Sequence, residues 1–387
     1  TMELRGNWNY PTPIRFGAGR ISELAGLCAE LNMKRPLLVT DRGLAEMPMT
    51  VHILKQLQDA GLNVALFSDM RPNPIGRDVD AGVAVYRAGG HDGVISLGGG
   101  SALDVGKAIA VMSGQDRPLW DFEDVGDNYL RVNVAGVAPS IAIPTTAGTG
   151  SEVGRASLII DDVAHRKVII FHPTMLPQRV LADPELTAGL PAHLTAATGV
   201  DALVHNIEAF CSPFYHPLAQ GVALEGMKLV HDFLPRAYQN GQDIEARAQM
   251  LSASLMGATA FQKGLGGVHA LAHPIGAVFD THHGLANAIL LPYVLVRNRE
   301  AIAERLGAAA RYLDLADSSF DGFLNWVLSL RKALNIPHTL ADISIPLDQA
   351  DAIGLMVKKE PGDGGTPVLL TSVEYADIYR AALAGVL

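Results

Sequence analysis

Between about residues 36 and 170 short apolar runs alternate with helical stretches, and beyond Pro191 only helical periodicity remains. This change of period constrains the fold more than any other feature of the chain. Residues 36–40, 64–67, 93–97, 140–143 and 167–171 read as strands, and 49–60, 78–88 and 101–112 as helices between them. Strands and helices joined by short Gly, Pro and Asp connections imply right-handed crossovers. The result is a parallel sheet covered on both faces, whose ligands bind at the carboxyl ends of the strands. The second half predicts helices near 192–210, 217–238, 244–263, 285–297, 302–315, 320–334 and 372–387. The expected boundary lies near residue 185, giving an α/β domain over 1–185 and an all-helical domain over 186–387. A chain of 387 residues divides naturally into two cores.

Composition narrows the partners. A net charge of -10 with no Lys/Arg cluster argues against nucleic acid or an anionic membrane face, both of which need dense positive charge, and favours a small molecule. The most apolar long segment, 249–261, is interrupted by Ser252, Ser254 and Thr259 and is too short to span a bilayer. Cys28 and Cys211 lie far apart without CxxC spacing, so neither a disulfide framework nor a thiolate metal site is expected, and a reducing, cytoplasmic setting fits. Residues 1–10 lack the basic-then-apolar pattern of a secretory signal.

Three strand ends carry unusual loops. Asp41 follows the strand at 36–40, where its carboxylate either accepts from ribose hydroxyls and repels a 2′-phosphate, or caps a helix. Gly98-Gly99-Gly100-Ser101 joins a strand to a helix, and is either a backbone cradle for pyrophosphate or a tight turn. It is neither GxGxxG nor a Walker A loop, because Lys107 is badly placed for the latter. Residues 144–152, PTTAGTGSE, place four hydroxyls and two glycines behind a strand, suiting phosphate oxygens or a carboxamide. Asp104 either caps its helix or meets a cofactor, and Lys167 either meets a phosphate or is solvated.

In the helical half, residues 266–287 place His269, His273, His282 and His283 in an apolar, glycine-punctuated segment. Buried imidazoles are hydrogen-bonded or bound to something, so a metal site and a set of satisfied core histidines are both open. Asp201 and His205, four apart, share one helical face, and His269 and His273 repeat that spacing. Two such pairs can converge from facing helices. One carboxylate and three neutral imidazoles leave a divalent ion about one net positive charge, enough to remain a Lewis acid. Mixed N/O ligation admits Fe²⁺, Zn²⁺, Mn²⁺ or Co²⁺.

Four stretches, GGGSALDVGKA from Gly98, IPTTAGTGSEV from Ile143, LPAHLTAATGVDALVHNIEAF from Leu190 and VHALAHPIGAVFDTHHGLANAILLPYV from Val268, are jointly specific. Over nearly its full length the chain resembles the iron-containing (group III) alcohol dehydrogenases. The resemblance implies a Rossmann-like dinucleotide-binding domain, a helical metal-binding domain and a cleft between them, a plan shared with dehydroquinate synthase. It assigns the metal, Fe²⁺ first and Zn²⁺ second, to Asp201, His205, His269 and His283. His273 lines that site as a proton relay or a packing residue, and His282 stands outside the ligand set. NAD, in preference to NADP, falls to Asp41, Asn73, Gly99, Gly100, Ser101, Thr145, Thr146, Thr149, Ser151, Val153, Lys167 and Leu186, with Gly98 added from the glycine loop and Asp104 as the open case above.

The activity so implied is hydride transfer between NAD(H) and a primary alcohol, diol or aldehyde, in a homo-oligomer. The alternatives are a lyase of the dehydroquinate synthase type, which needs more basic residues than 191–287 supply, and a non-catalytic nucleotide sensor. Trp120, Phe122, Asn128 and Phe261 are candidates to line the substrate site.

Overall fold

The computed structural model describes residues 3–387; Thr1 and Met2, where the expected first domain begins, lie outside the described residues. It contains strands β1 (Ile14–Phe16), β2 (Pro36–Val39), β3 (Ala65–Phe67), β4 (Gly93–Gly98), β5 (Ser140–Pro144), β6 (Ala156–Asp161), β7 (Arg166–Phe171) and β8 (Arg179–Ala182). Helices α1 (Leu24–Glu30), α2 (Arg42–Ala45), α3 (Pro48–Asp59), α4 (Gly76–Ala88) and α5 (Gly100–Met112) accompany them. Nine more follow: α6 (Ala192–Cys211), α7 (Pro217–Gln239), α8 (Ile244–Ala260), α9 (Gly267–Phe279), α10 (His283–Arg297), α11 (Arg299–Tyr312), α12 (Phe320–Ala333), α13 (Ala350–Val357) and α14 (Ser372–Ala384).

In the α/β unit six strands form a wholly parallel sheet in the order β1-β8-β5-β4-β2-β3. Period-two alternation splits its side chains between two cores. Leu37 and Val39 pack with α4 and α5 on one face, while Leu38, Ile95 and Ile141 pack with α1 and α3 on the other. The chain leaves β2 outward to β3 and returns to β4 on the opposite side of β2. The direction of winding therefore reverses between β2 and β4, the place where such sheets bind ligands.

The strand at 167–171 departs from the expected parallel sheet. It is β7, paired antiparallel with β6 in a separate two-stranded ribbon. The connection between them is only four residues long, and Asp161 Oδ1 tightens it by accepting from the N–H groups of Val163 and Ala164. A parallel crossover needs a dozen residues or more, so the loop length excludes that arrangement.

The helical unit is built around α6, buried almost throughout from Thr195 to Cys211 and packed against α7, α8 and α10. Of the described residues, this unit comprises 3–10, Ala147–Thr149 and Leu190–Leu387, and the α/β unit comprises Pro11–Thr146 and Gly150–Gly189. The α/β unit thus runs slightly past the expected boundary at residue 185. Asp183 holds the turn that follows, its carboxylate accepting from the N–H groups of Gly19, Ile21 and Glu185. Among the described residues no helix is long and apolar enough to cross a membrane.

Candidate active site

Sheet order sets four loops side by side, because β8, β5, β4 and β2 are consecutive neighbours with their carboxyl ends at one edge. After β2, Thr40 is anchored by its hydroxyl to the carbonyl of Leu97 (2.7 Å), and Asp41 caps α2 by accepting from the Leu44 N–H through Oδ1 (2.8 Å). After β4, Gly98 adopts φ +146°, and a Cβ there would stand 2.8 Å from that of Ala102. Only glycine turns the chain there so tightly into α5. Gly99 is the N-cap and Gly100 the first residue of that helix, so the free N–H groups of its first turn face this edge.

Ser101 donates to the carbonyl of Pro72 (2.6 Å), which draws the Asn73 loop to the glycine loop. Lys167 stands opposite Ile160 on the ribbon, and Ile160 donates to the carbonyl of Pro74. Behind β5, Thr145 is buried with its N–H on the Gly98 carbonyl, and Thr146 lies against Gly99. Leu186, in the turn after β8, packs on the α1/α3 core. The α/β unit therefore gathers Asp41, Asn73, Gly98 to Ser101, Thr145, Thr146 and Leu186 around one edge. Thr149 belongs with the helical unit. Asp104 lies beneath the loops: its carboxylate accepts from the Ser151 hydroxyl (2.6 Å) and the Leu158 N–H (3.1 Å). Of the proposed lining residues, Phe122 is wholly buried in the α/β core, whereas the Phe261 ring stands 5.2 Å from that of His205.

Beside Ser151 and the buried Val153, Glu152 is also buried, and its Oε1 has no hydrogen-bond partner among the described residues. Burial pushes its carboxyl up to about 7, against the pull of its own backbone N–H and of Lys107. The folded state thus holds a proton that the unfolded chain releases near its ordinary value of 4.5. This contribution is complete below pH 4.5 and lost as pH rises through 7, a displacement worth about 3 kcal/mol. Glu152→Gln should gain stability relative to the parent between pH 5 and 8, read by urea unfolding; a difference independent of pH would rule out this account.

In the helical unit the three proposed imidazole ligands converge on one oxygen of the fourth, Asp201. His205 Nε2 lies 3.8 Å from Asp201 Oδ1, and His269 Nε2 and His283 Nε2 each lie 3.5 Å from it. Donors at about 2.1 Å from a common centre would stand about 3.4 Å apart in a tetrahedron, so the spacing suits a divalent ion. Atoms of Asp201, His205 and His269 also lie within 4.8 Å of one another, and the His205 and His269 rings stack at 4.6 Å. His283 reaches the group from the start of α10. That approach depends on Gly284, where a Cβ would stand 2.5 Å from the Ala197 carbonyl on α6.

The charges agree with this geometry. Burial pushes Asp201 up, but His205, His283 and His269 together hold it well below the usual carboxylate range. Burial lowers His205 to about 4 despite Asp201 and lowers His283 likewise, so both rings present lone pairs. His269 differs. Burial opposes its proton, yet hydrogen bonds to Asp201 and Glu208 outweigh that and raise it to about 9. Three imidazole nitrogens and the Asp201 carboxylate directed at one point, where an ion would take the place of the His269 proton, fit a cation.

Three supporting residues escaped the sequence reading. Glu208 accepts from His269 Nδ1 (2.5 Å) and from the N–H groups of His269 (3.2 Å) and Val268 (3.1 Å). It thereby caps α9 and turns His269 Nε2 toward Asp201. Its position gave a signal, since Asp201, His205 and Glu208 stand at i, i+4 and i+7 on one face of α6. Asn287, one turn beyond His283, donates to Asp201 Oδ1 (2.7 Å). Glu360 Oε2 lies 3.1 Å from His273 Nδ1, and nothing in the spacing announces that pair, 87 residues apart. His273 adjoins the cluster, its ring 5.4 Å from that of His283. His282 caps α10, its Nδ1 accepting from the Leu285 N–H.

Comparison with known proteins agrees over both units. The family model "Iron-containing alcohol dehydrogenase" matches residues 11–184, and that for "Fe-containing alcohol dehydrogenase family, C-terminal" matches 195–383. The chain is 38% identical over 353 residues to 4-hydroxybutyrate dehydrogenase of Cupriavidus necator, covering 89% of this chain and 91% of the relative. It is 35% identical to the NAD-dependent methanol dehydrogenase of Bacillus methanolicus, covering 97% of this chain and all of the relative (100%). The crystal structure of a 1,3-propanediol oxidoreductase superposes with TM-score 0.93 at 32% identity, over 98% of this chain and 100% of that one. Sulfoacetaldehyde reductase from Bifidobacterium kashiwanohense, in complex with NAD⁺, gives TM-score 0.89 at 28% identity, over 98% and 99%. The chain belongs to the iron-containing alcohol dehydrogenase family, and is a metal-dependent oxidoreductase of alcohols.

Proposed function

We propose that this enzyme interconverts primary alcohols or diols and their aldehydes with NAD(H), using Fe²⁺ held by Asp201, His205, His269 and His283. The convergence of three imidazole Nε2 atoms on Asp201 Oδ1 carries this reading. The bound ion supplies Lewis acidity toward an alcohol or aldehyde oxygen, and NAD supplies the hydride acceptor. The chain's own residues do the rest. Glu208 and Asn287 orient the ligands, and His273, its Nδ1 held by Glu360, offers Nε2 to take up or return the hydroxyl proton. The loops around the switch between β2 and β4 hold the dinucleotide, with α5 directing its N-terminus at the pyrophosphate.

Protein stripped with chelator should regain alcohol-dependent NADH formation on adding Fe²⁺, with Zn²⁺ as the comparison. A substrate panel read by NADH absorbance measures this, and turnover that ignores added metal would remove the metal from the mechanism. Elemental analysis of the untreated protein decides between iron and zinc.

Preference for NAD rests on Asp41, whose carboxylate at the end of β2 would repel a 2′-phosphate. Asp41→Gly should raise the ratio of NADP⁺ to NAD⁺ efficiency by about tenfold, the worth of one such contact at roughly 1.4 kcal/mol. An unchanged ratio would eliminate that role for Asp41. A cytoplasmic homo-oligomer completes the reading. The buried, separate thiols Cys28 and Cys211 support the compartment, and the exposed apolar Leu4, Trp8, Tyr10 and Phe214 support association, which light scattering tests.

A further inference from the structure

Lys263 closes the short turn between α8 and α9, and its side chain is 3% exposed. An ammonium taken this far from water is costly unless its donors are matched. Burial, followed by the nearby Arg305 guanidinium, pushes its amine well below the ordinary lysine range, to about 7, despite Cys211. The partners of Lys263 lie at one helix end. Its Nζ donates to the carbonyls of Ala209 (2.9 Å), Phe210 (3.1 Å) and Ser212 (2.5 Å), where α6 runs out of intrahelical donors. The tie is reciprocal, since the Ser212 hydroxyl donates to the Lys263 carbonyl (3.1 Å).

Beyond Lys263 the chain runs back along α6 toward the proposed ligands. Gly264 takes φ +146°, and a Cβ there would stand 2.6 Å from the Ser212 hydroxyl. A Cβ on Gly266 would stand 2.4 Å from Glu208 Oε2, and the same carboxylate receives the N–H groups of Val268 and His269. Residues 264–268 are therefore strung between two ties to α6, Lys263 at its end and Glu208 about one turn earlier. Glycine stands at 264, 266 and 267 and resists torsion little, so the ties at the ends set where His269 enters α9.

We propose that Lys263 is a positioning residue for the metal, holding the end of α6 and the start of the 264–268 segment together so that Glu208 meets the His269 ring. This rests on the assignment of Asp201, His205, His269 and His283 as the metal site. Lys263 acts through Glu208 and His269 and ligates nothing itself. Arg305, on α11 and outside that segment, supplies the contrast, because it donates to two of the same carbonyls, those of Phe210 (3.1 Å) and Ser212 (2.6 Å). A lysine that merely capped α6 would act as Arg305 does, on stability. A tether acts on metal affinity, because a displaced outer partner loosens the histidine that it orients.

The test titrates Zn²⁺ into the whole chain against a chelator of known affinity, with thermal melts recorded alongside. Lys263→Met keeps the aliphatic stem and removes the ammonium. It should raise the Zn²⁺ Kd by about tenfold, the lower end of the loss for an outer partner of a metal-bound histidine. Ser212→Ala, which removes only the return bond, should raise it by about threefold. Arg305→Met should lower the melting temperature and leave the Zn²⁺ Kd within about twofold of the parent. A folded Lys263→Met whose Kd stays within about twofold of the parent would overturn the proposal, and so would an Arg305→Met that weakens Zn²⁺ as much as Lys263→Met does. If Lys263→Met does not fold, Ser212→Ala decides by the same limit. A parent protein that binds neither Zn²⁺ nor Fe²⁺ would instead overturn the ligand assignment, and this inference with it.

Discussion

His269→Ala is expected to abolish metal binding and turnover together. The imidazole stands between two buried carboxylates, with Nδ1 on Glu208 (2.5 Å) and Nε2 3.5 Å from Asp201. Its removal takes away one proposed ligand and also the side chain that joins those two acids. An ion lost from the site forfeits several kcal/mol of transition-state stabilisation, so activity should fall by about a thousandfold or more. The two buried carboxylates, left to Asn287 and to the N–H groups at the start of α9, add a stability loss on the order of 3 kcal/mol. Elemental analysis, circular dichroism and NADH-coupled turnover on one preparation check this. A folded variant that keeps both metal and activity would sink the ligand assignment.

Glu208→Gln is expected to weaken metal binding without removing any ligand. Glutamine keeps the volume, but its amide nitrogen must face one of the donors that Glu208 now accepts, the His269 ring N–H or the Val268 N–H. The ring then loses its negative partner and its fixed orientation. Affinity should fall by about 10–100-fold, as for other outer partners of metal-bound histidines. Competition with a chelator of known affinity measures this directly, independently of turnover. Unchanged affinity would show that α6 and α9 orient His269 by packing alone.

Much of the chain's plan is legible in its residues because local periodicity carries it. The long apolar runs at 36–39 and 93–98 could only be strands buried on both faces, and they are β2 and β4. The spacing of Asp201 and His205 places both on one side of α6, since a helix returns to the same face every four residues. What failed was local too. The strands β1, β6 and β8 have no amphipathic pattern strong enough to mark them, and the ribbon of β6 and β7 followed from a four-residue turn that periodicity does not register.

By itself, the sequence determined that a parallel α/β unit precedes a helical one, which side chains could ligate a metal, and where glycine-rich loops meet helix starts. These depend on neighbours within about two turns of chain. Only the tertiary structure decided which distant groups complete the sites. Glu208 meets His269 across 61 residues and Glu360 meets His273 across 87, while Lys263 reaches carbonyls 51 to 54 residues away. A buried charge takes whichever partner the packing of other elements brings to it, and no local pattern in the chain encodes that choice.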